Sequence, residues 1–156
     1  IAQEINRLIN SESNNSEPIP KEMDGYYVSL LIFFLALALP AILIIYGNKE
    51  PKIDLAQNNM SISGMYGMKI NYSEITVLDT VEYFPAIKMR TNGYAFGKTL
   101  KGNFRINDNK KIKLYIKKGN PPYIHIVHNG LDIYLNYIDK KNTRSLYEKL
   151  NNKLNK

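Results

Sequence analysis

A chain of 156 residues, 44% of them hydrophobic, has room for one membrane span and one domain of about 100 residues. The lack of cysteine excludes disulfides, thiolate metal sites and thiol nucleophiles. The net charge of +7 is unevenly spread: residues 1–25 hold two basic and five acidic side chains, so the basic excess lies wholly in the rest of the chain.

Residues 1–25 read as a polar flexible tail, since NSESNNSEPIPKEMDG cannot bury enough apolar surface to order itself. Residues 26–46, YYVSLLIFFLALALPAILIIY, then run for 21 positions without an ionisable charge. As a helix this stretch is about 32 Å long, close to the ~30 Å hydrocarbon thickness of a bilayer. Thirteen of its residues are Val, Leu, Ile or Phe, worth roughly 4 to 8 kcal/mol towards insertion as an upper bound. Tyr26, Tyr27 and Tyr46 stand at the two ends, where amphipathic rings suit the headgroup layer, and spans tolerate a proline such as Pro40. The run lacks the basic start and small-residue cleavage site of a secretory signal. A single transmembrane helix in the cell membrane is therefore expected. Lys49 and Lys52 follow the run more closely than Lys21 and Arg7 precede it, which predicts a cytoplasmic C-terminal domain.

Residues 47–58, GNKEPKIDLAQN, read as a juxtamembrane linker, and residues 59–156 as a β domain. Period-two alternation rich in Ile, Val, Tyr and Thr predicts strands at 60–64, 67–72, 75–81, 86–91, 102–106, 111–117, 123–128 and 131–136. Asn129-Gly130 is a strong two-residue turn signal. It sets His128 opposite Leu131, Ile126 opposite Ile133 and Ile124 opposite Leu135, which gathers the apolar side chains on one face. For the preceding hairpin, keeping Phe104 and Ile106 on a face with Ile112 and Leu114 pairs 106 with 112 and 104 with 114. That pairing requires an odd-numbered loop near Asp108 to Lys110. Leu146, Tyr147, Leu150 and Leu154 recur at helical spacing after a Ser145-x-x-Glu148 capping box.

Particular residues, beyond this layout, are similar to a known family. The pieces are Met89-Arg90-Thr91-Asn92-Gly93, Gly102-Asn103-Phe104-Arg105, Lys113-Leu114-Tyr115 and Pro121-Pro122-Tyr123-Ile124-His125-Ile126, with Tyr72-Ser73-Glu74-Ile75 upstream. Over about residues 60–154 they resemble the bacterial PH-like (pleckstrin-homology-like) domain of Gram-positive membrane proteins. The resemblance implies a PH-like antiparallel β-barrel or sandwich of about seven meandering strands closed by a C-terminal α-helix. It implies no activity, because fold alone does not fix function. Arg90, Asn92, Gly93, Gly102, Phe104 and Arg105, which lie in these pieces, are read as structural. The two arginines are expected to pair with backbone or with a carboxylate such as Glu82, because a planar guanidinium suits fixed hydrogen bonds.

No phosphate loop, nucleophile elbow or zinc-protease motif occurs in the sequence. His125 and His128, three apart on a strand, point to opposite faces and predict one cross-strand polar contact and one rim residue. No catalytic residue, metal or cofactor is assigned, and an enzyme is not expected. Lys98, Lys101, Lys110, Lys111, Lys113, Lys117 and Lys118 crowd two adjacent strands and their loops, as candidate contacts to an anionic surface. Each lysine near an anionic leaflet is worth about 1 kcal/mol, less in salt. The competing source of this density is a general Lys, Ile, Asn and Tyr bias of the whole chain. The expected function is a membrane-anchored, non-catalytic module that binds a protein partner or anionic lipid headgroups at the bilayer surface. The alternative, motivated by a first residue other than Met, is the C-terminal part of a larger multispan protein in which the domain serves assembly or regulation. Nucleic-acid binding is disfavoured, since Phe104 and Tyr115 fall at core or rim positions and a membrane tether suits it poorly.

Overall fold

A computed structural model describes Gln3 and residues 21–155. Most of the expected polar tail lies outside the described residues. The chain divides into two compact units, with the boundary between Ala41 and Ile42.

The first unit is the greater part of helix α1 (Lys21–Asn48). Its apolar side chains face outward on every side: Leu31 is 68% exposed and Phe34 64%. A helix that is apolar all round has no face suited to water. The stretch Gly25–Asn48 is long and apolar enough to cross a membrane.

The second unit begins with the last seven residues of α1 and holds all the strands. Strands β1 (Lys52–Leu55), β2 (Asn59–Ser63) and β3 (Met68–Asn71) form an antiparallel three-stranded sheet. Strands β4 (Ile75–Val81), β5 (Ile87–Phe96), β6 (Thr99–Ile106), β7 (Lys111–Lys117), β8 (Tyr123–His128) and β9 (Leu131–Leu135) form a second sheet in the order β4-β8-β9-β7-β6-β5. Helix α2 (Lys140–Leu154) closes the chain.

One core joins both sheets and α2: Met60, Ile62 and Ile70 meet Ile124, Ile126, Ile133 and Leu135, with Leu146 and Leu150 from the helix. A second core includes Leu100, Phe104, Ile112, Leu114, Tyr123 and Tyr134, with Phe84 packed against it. Strand residues alternate between faces, so Tyr134 and Ile133 supply different cores.

The β8–β9 pairing is the one that Asn129-Gly130 predicts, with Ile126 opposite Ile133 and Ile124 opposite Leu135. Asn129 (φ 50°) and Gly130 (φ 76°) both adopt the left-handed conformation that such a tight turn requires.

Other expectations need correction. There are nine strands among the described residues, not about seven, and β1 lies inside the stretch read as a linker. The larger sheet is not a simple meander, because β9 sits between β7 and β8 and pairs with β7 in parallel. Phe104 pairs with Ile112 and Gly102 with Leu114, two residues away from the expected register. The loop is Asn107–Asn109, closed by Ile106 N–H donating to Lys110 O and by left-handed Asn109. A shift of two keeps every side chain on its face, so apolar pattern alone cannot choose between the registers. Strands β5 and β6 run on to a tight turn at Gly97-Lys98, with Phe96 opposite Thr99. Strand β5 runs past the expected end at residue 91, so Asn92-Gly93 lies inside it, beside a register shift. The cap of α2 is Asp139, whose side chain accepts from Lys141 N–H, while Ser145 lies within the helix.

Candidate functional site

The seven candidate lysines are not brought together. Lys110 and Lys111 stand at one end of β7 and Lys117 and Lys118 at the other, about 20 Å apart along the strand. Their surroundings divide them further.

Lys101 and Lys117 are committed to the end of α1. A helix leaves its last carbonyls without intrahelical donors. Lys117 Nζ donates to Asn48 O at 3.2 Å and to Thr99 Oγ1 at 2.6 Å, and Thr99 donates to Asn48 Oδ1 at 2.8 Å. Lys101 Nζ donates to Lys49 O, and Lys101 is only 4% exposed. Burial lowers the Lys101 pKa and nearby Lys117 lowers it further, while Glu50 acts the other way. These cations meet partial negative charge at the helix C-terminus, a favourable arrangement. Tyr94 joins them, its hydroxyl donating to Ile44 O at 3.4 Å and its ring lying where a Cβ on Gly47 would have to go. Glu50 Oε1 accepts from Ile138 N–H at 2.5 Å. The residues that follow the apolar run, in the stretch read as a juxtamembrane linker, are thus bonded to the sheet.

Beside Asn48 lies a shallow cavity of about 600 Å³. Its rim carries Phe96 and Ile138, 50% and 61% exposed, together with exposed Lys98 and Lys118. The β5–β6 turn and the β7–β8 loop meet here, with Lys118 N–H donating to Lys98 O at 2.7 Å. Two large apolar side chains in water beside two cations form an amphipathic rim.

The remaining lysines play other parts. Lys113 is half-buried, its ammonium 5.8 Å from the Tyr115 ring centroid, and burial lowers its pKa. Lys110 Nζ lies 2.5 Å from Asp132 Oδ2, and His125 Nε2 lies 2.8 Å from Asp132 Oδ1. The His125 ring stacks on Tyr134 at 4.6 Å, and burial with the adjacent carboxylate pushes the Tyr134 phenol up to about 12. His128 Nε2 lies 2.7 Å from Glu74 Oε2. Each histidine thus finds its own carboxylate on its own face of β8. Among the described residues no group of three His, Cys, Asp or Glu side chains could hold a metal ion.

Arg90 is exposed and Arg105 half-buried, and among the described residues neither forms an ion pair with Glu82 or any other carboxylate. Arg105 Nε is buried without a hydrogen-bond partner among them, so the expected pairing is not seen. Gly93, Gly102 and Phe104 form one packed contact. A Cβ on Gly93 would lie 3.1 Å from the Phe104 ring, and one on Gly102 would lie 2.8 Å from Gly93 Cα. Asn92 pairs with Asn103 across the two strands.

Burial drives the Asp132 carboxyl up, but Lys110 and His125 more than offset it and hold the group below the usual carboxylate range. The hydrogen bond to His128 lowers Glu74 as well. A lowered folded-state pKa gives stability that is full above the unfolded value, about 4, and is lost as pH falls through the folded value. Asp132→Asn is therefore expected to flatten the acid limb. Its melting temperature should fall less between about pH 4 and lower pH than the parent's. Parallel limbs would refute the coupling.

No family model, curated protein or solved structure matches this chain.

Proposed function

We propose that this protein is a membrane-anchored, non-catalytic module whose PH-like β domain works against the bilayer surface and binds anionic lipid headgroups there. The observation that supports this most directly is the bonding of Asn48 to Thr99 and Lys117. Asn48 lies two residues beyond Tyr46, the end of the apolar run. If α1 crosses the bilayer, Asn48 lies close to the headgroup layer, and in this reading the neighbouring rim of Phe96, Lys98, Lys118 and Ile138 is set against it. The apolar pair then enters the interface while the lysines meet phosphates. At about 1 kcal/mol per lysine, salt-screened, the contact is weak on its own. The tether makes the encounter intramolecular, so weak contacts suffice to keep the domain docked.

The test uses the full chain in lipid nanodiscs. It has no tryptophan, so Phe96→Trp introduces a single indole emitter. Bromine-labelled phosphatidylcholine is expected to quench it, more strongly when phosphatidylglycerol is present. Lys98→Glu with Lys118→Glu should abolish that increment. An indole that stays unquenched, or is quenched without regard to phosphatidylglycerol, would overturn the proposal.

A further inference from the structure

A second cleft, of about 550 Å³, opens on another side of the α1 terminus. Ile42, Leu43 and Tyr46 of α1 and Met65 of the β2–β3 turn line it, together with Lys49 and Lys52. The volume falls within the ~300–1,000 Å³ typical of small-molecule sites, and its lining is mainly apolar. All these residues belong to the second compact unit.

The charges around the cleft are not equivalent. Lys101 also borders it but is committed to Lys49 O, and the Glu50 carboxylate is held by Ile138 N–H. The Lys49 ammonium stands 4.5 Å from the Tyr46 ring centroid, a cation–π distance. Lys52 is exposed, and among the described residues neither Lys49 nor Lys52 forms an ion pair. The cleft therefore combines an apolar wall with cationic groups that have no acidic partner among the described residues.

We infer that this cleft binds one anionic phospholipid drawn from the surrounding bilayer, with an acyl chain along Ile42, Leu43 and Met65 and the phosphate beside Lys49 and Lys52. The inference rests on the reading that α1 spans the bilayer, because only then are lipids the molecules within reach of Ile42 and Leu43. An acyl chain that leaves bulk lipid for the cleft gains little, since lipid tails are as apolar as the wall. Selectivity must come from the headgroup. Each lysine near an anionic group is worth about fivefold in occupancy, so the pair favours an anionic over a neutral lipid by about 25-fold.

The experiment is native mass spectrometry of the full chain released from nanodiscs of phosphatidylcholine with phosphatidylglycerol. The wild type should retain one phosphatidylglycerol, at about 25-fold preference. Lys49→Glu with Lys52→Glu should erase the preference. Met65→Trp, which fills the cleft but leaves both lysines, should lose the adduct while the circular-dichroism melt stays unchanged. Lys98→Glu with Lys118→Glu, at the separate rim, should retain it. Retention by the folded Met65→Trp variant, or equal retention of the two lipids by the wild type, overturns the inference. A chain that enters nanodiscs but keeps no phosphatidylglycerol defeats the cleft site alone. One that never co-elutes with nanodiscs defeats the membrane reading as well.

Discussion

Replacing Asn136 with alanine is expected to destabilise the β domain by about 2 to 4 kcal/mol, through lost hydrogen bonds and not lost volume. Strand β9 ends at Leu135, but the next side chain continues its pairing. Asn136 is 2% exposed, its Oδ1 accepts from Lys117 N–H at 2.7 Å, and its Nδ2 donates to Lys117 O at 3.2 Å. The same Nδ2 donates to Asn120 O at 2.6 Å, which ties the β7–β8 loop to the sheet. One amide thus satisfies both backbone groups of Lys117, the lysine that caps α1. Each buried backbone group left unpaired costs about 1 to 3 kcal/mol. Asn136→Asp is expected to do no better, since its carboxylate would face the carbonyl oxygens of Lys117 and Asn120. Urea unfolding of the full chain in detergent, followed by near-ultraviolet circular dichroism, measures both. A loss below about 0.5 kcal/mol, the range of ordinary surface substitutions, would show that water replaces these bonds freely.

Gly102→Ala is expected to cost more, about 3 to 5 kcal/mol, by two separable causes. The first is conformational: at φ +97° an L side chain is strained by about 1 to 3 kcal/mol. The second is space. A Cβ there would lie 2.7 Å from Asn92 O, 2.8 Å from Gly93 Cα and 2.9 Å from the Tyr66 ring, so the β5 backbone itself must move. Gly64 is the matched control, with φ +100° and nothing within 4 Å of the same position. Gly64→Ala should register the strain alone, and the difference between the two variants measures the crowding. In a domain of about 100 residues each kcal/mol moves the melting temperature by about 4 to 8 °C, so the variants should separate by several degrees. Equal melting temperatures would show that the β5–β6 contact yields without cost.

These two residues differ in how far the sequence discloses them. Gly102 sits in one of the family-like pieces and could be read as structural from its neighbours. The role of Asn136 is invisible there, because it depends on a parallel pairing between β7 and β9 that no local signal announces. The β8–β9 hairpin was legible for the opposite reason: Asn129-Gly130 fixes the turn, and the apolar alternation on both sides agrees with it. Strand β1 is only four residues long, and half of them, Lys52 and Asp54, are charged, so its sequence looks like linker. Its partner β2 supplies what its own propensity does not. The clustering of lysines in sequence said little about their use. Two of them meet carbonyls at the helix end, one meets a buried carboxylate, and two reach the rim. Period and composition report which face a side chain takes, but not what the opposite segment brings to meet it.

Strand β5 is an outer strand of the larger sheet, and its pairing with β6 shifts register twice, between Ile87 and Met89 and between Arg90 and Asn92. A flat unpaired edge strand is a ready template for a second copy and can propagate into fibrils. Irregularities of this kind twist an edge away from such templating, and exposed Lys88 and Arg90 add like-charge repulsion between copies. The β5 margin of the sheet is thereby a poor template for pairing with a second copy.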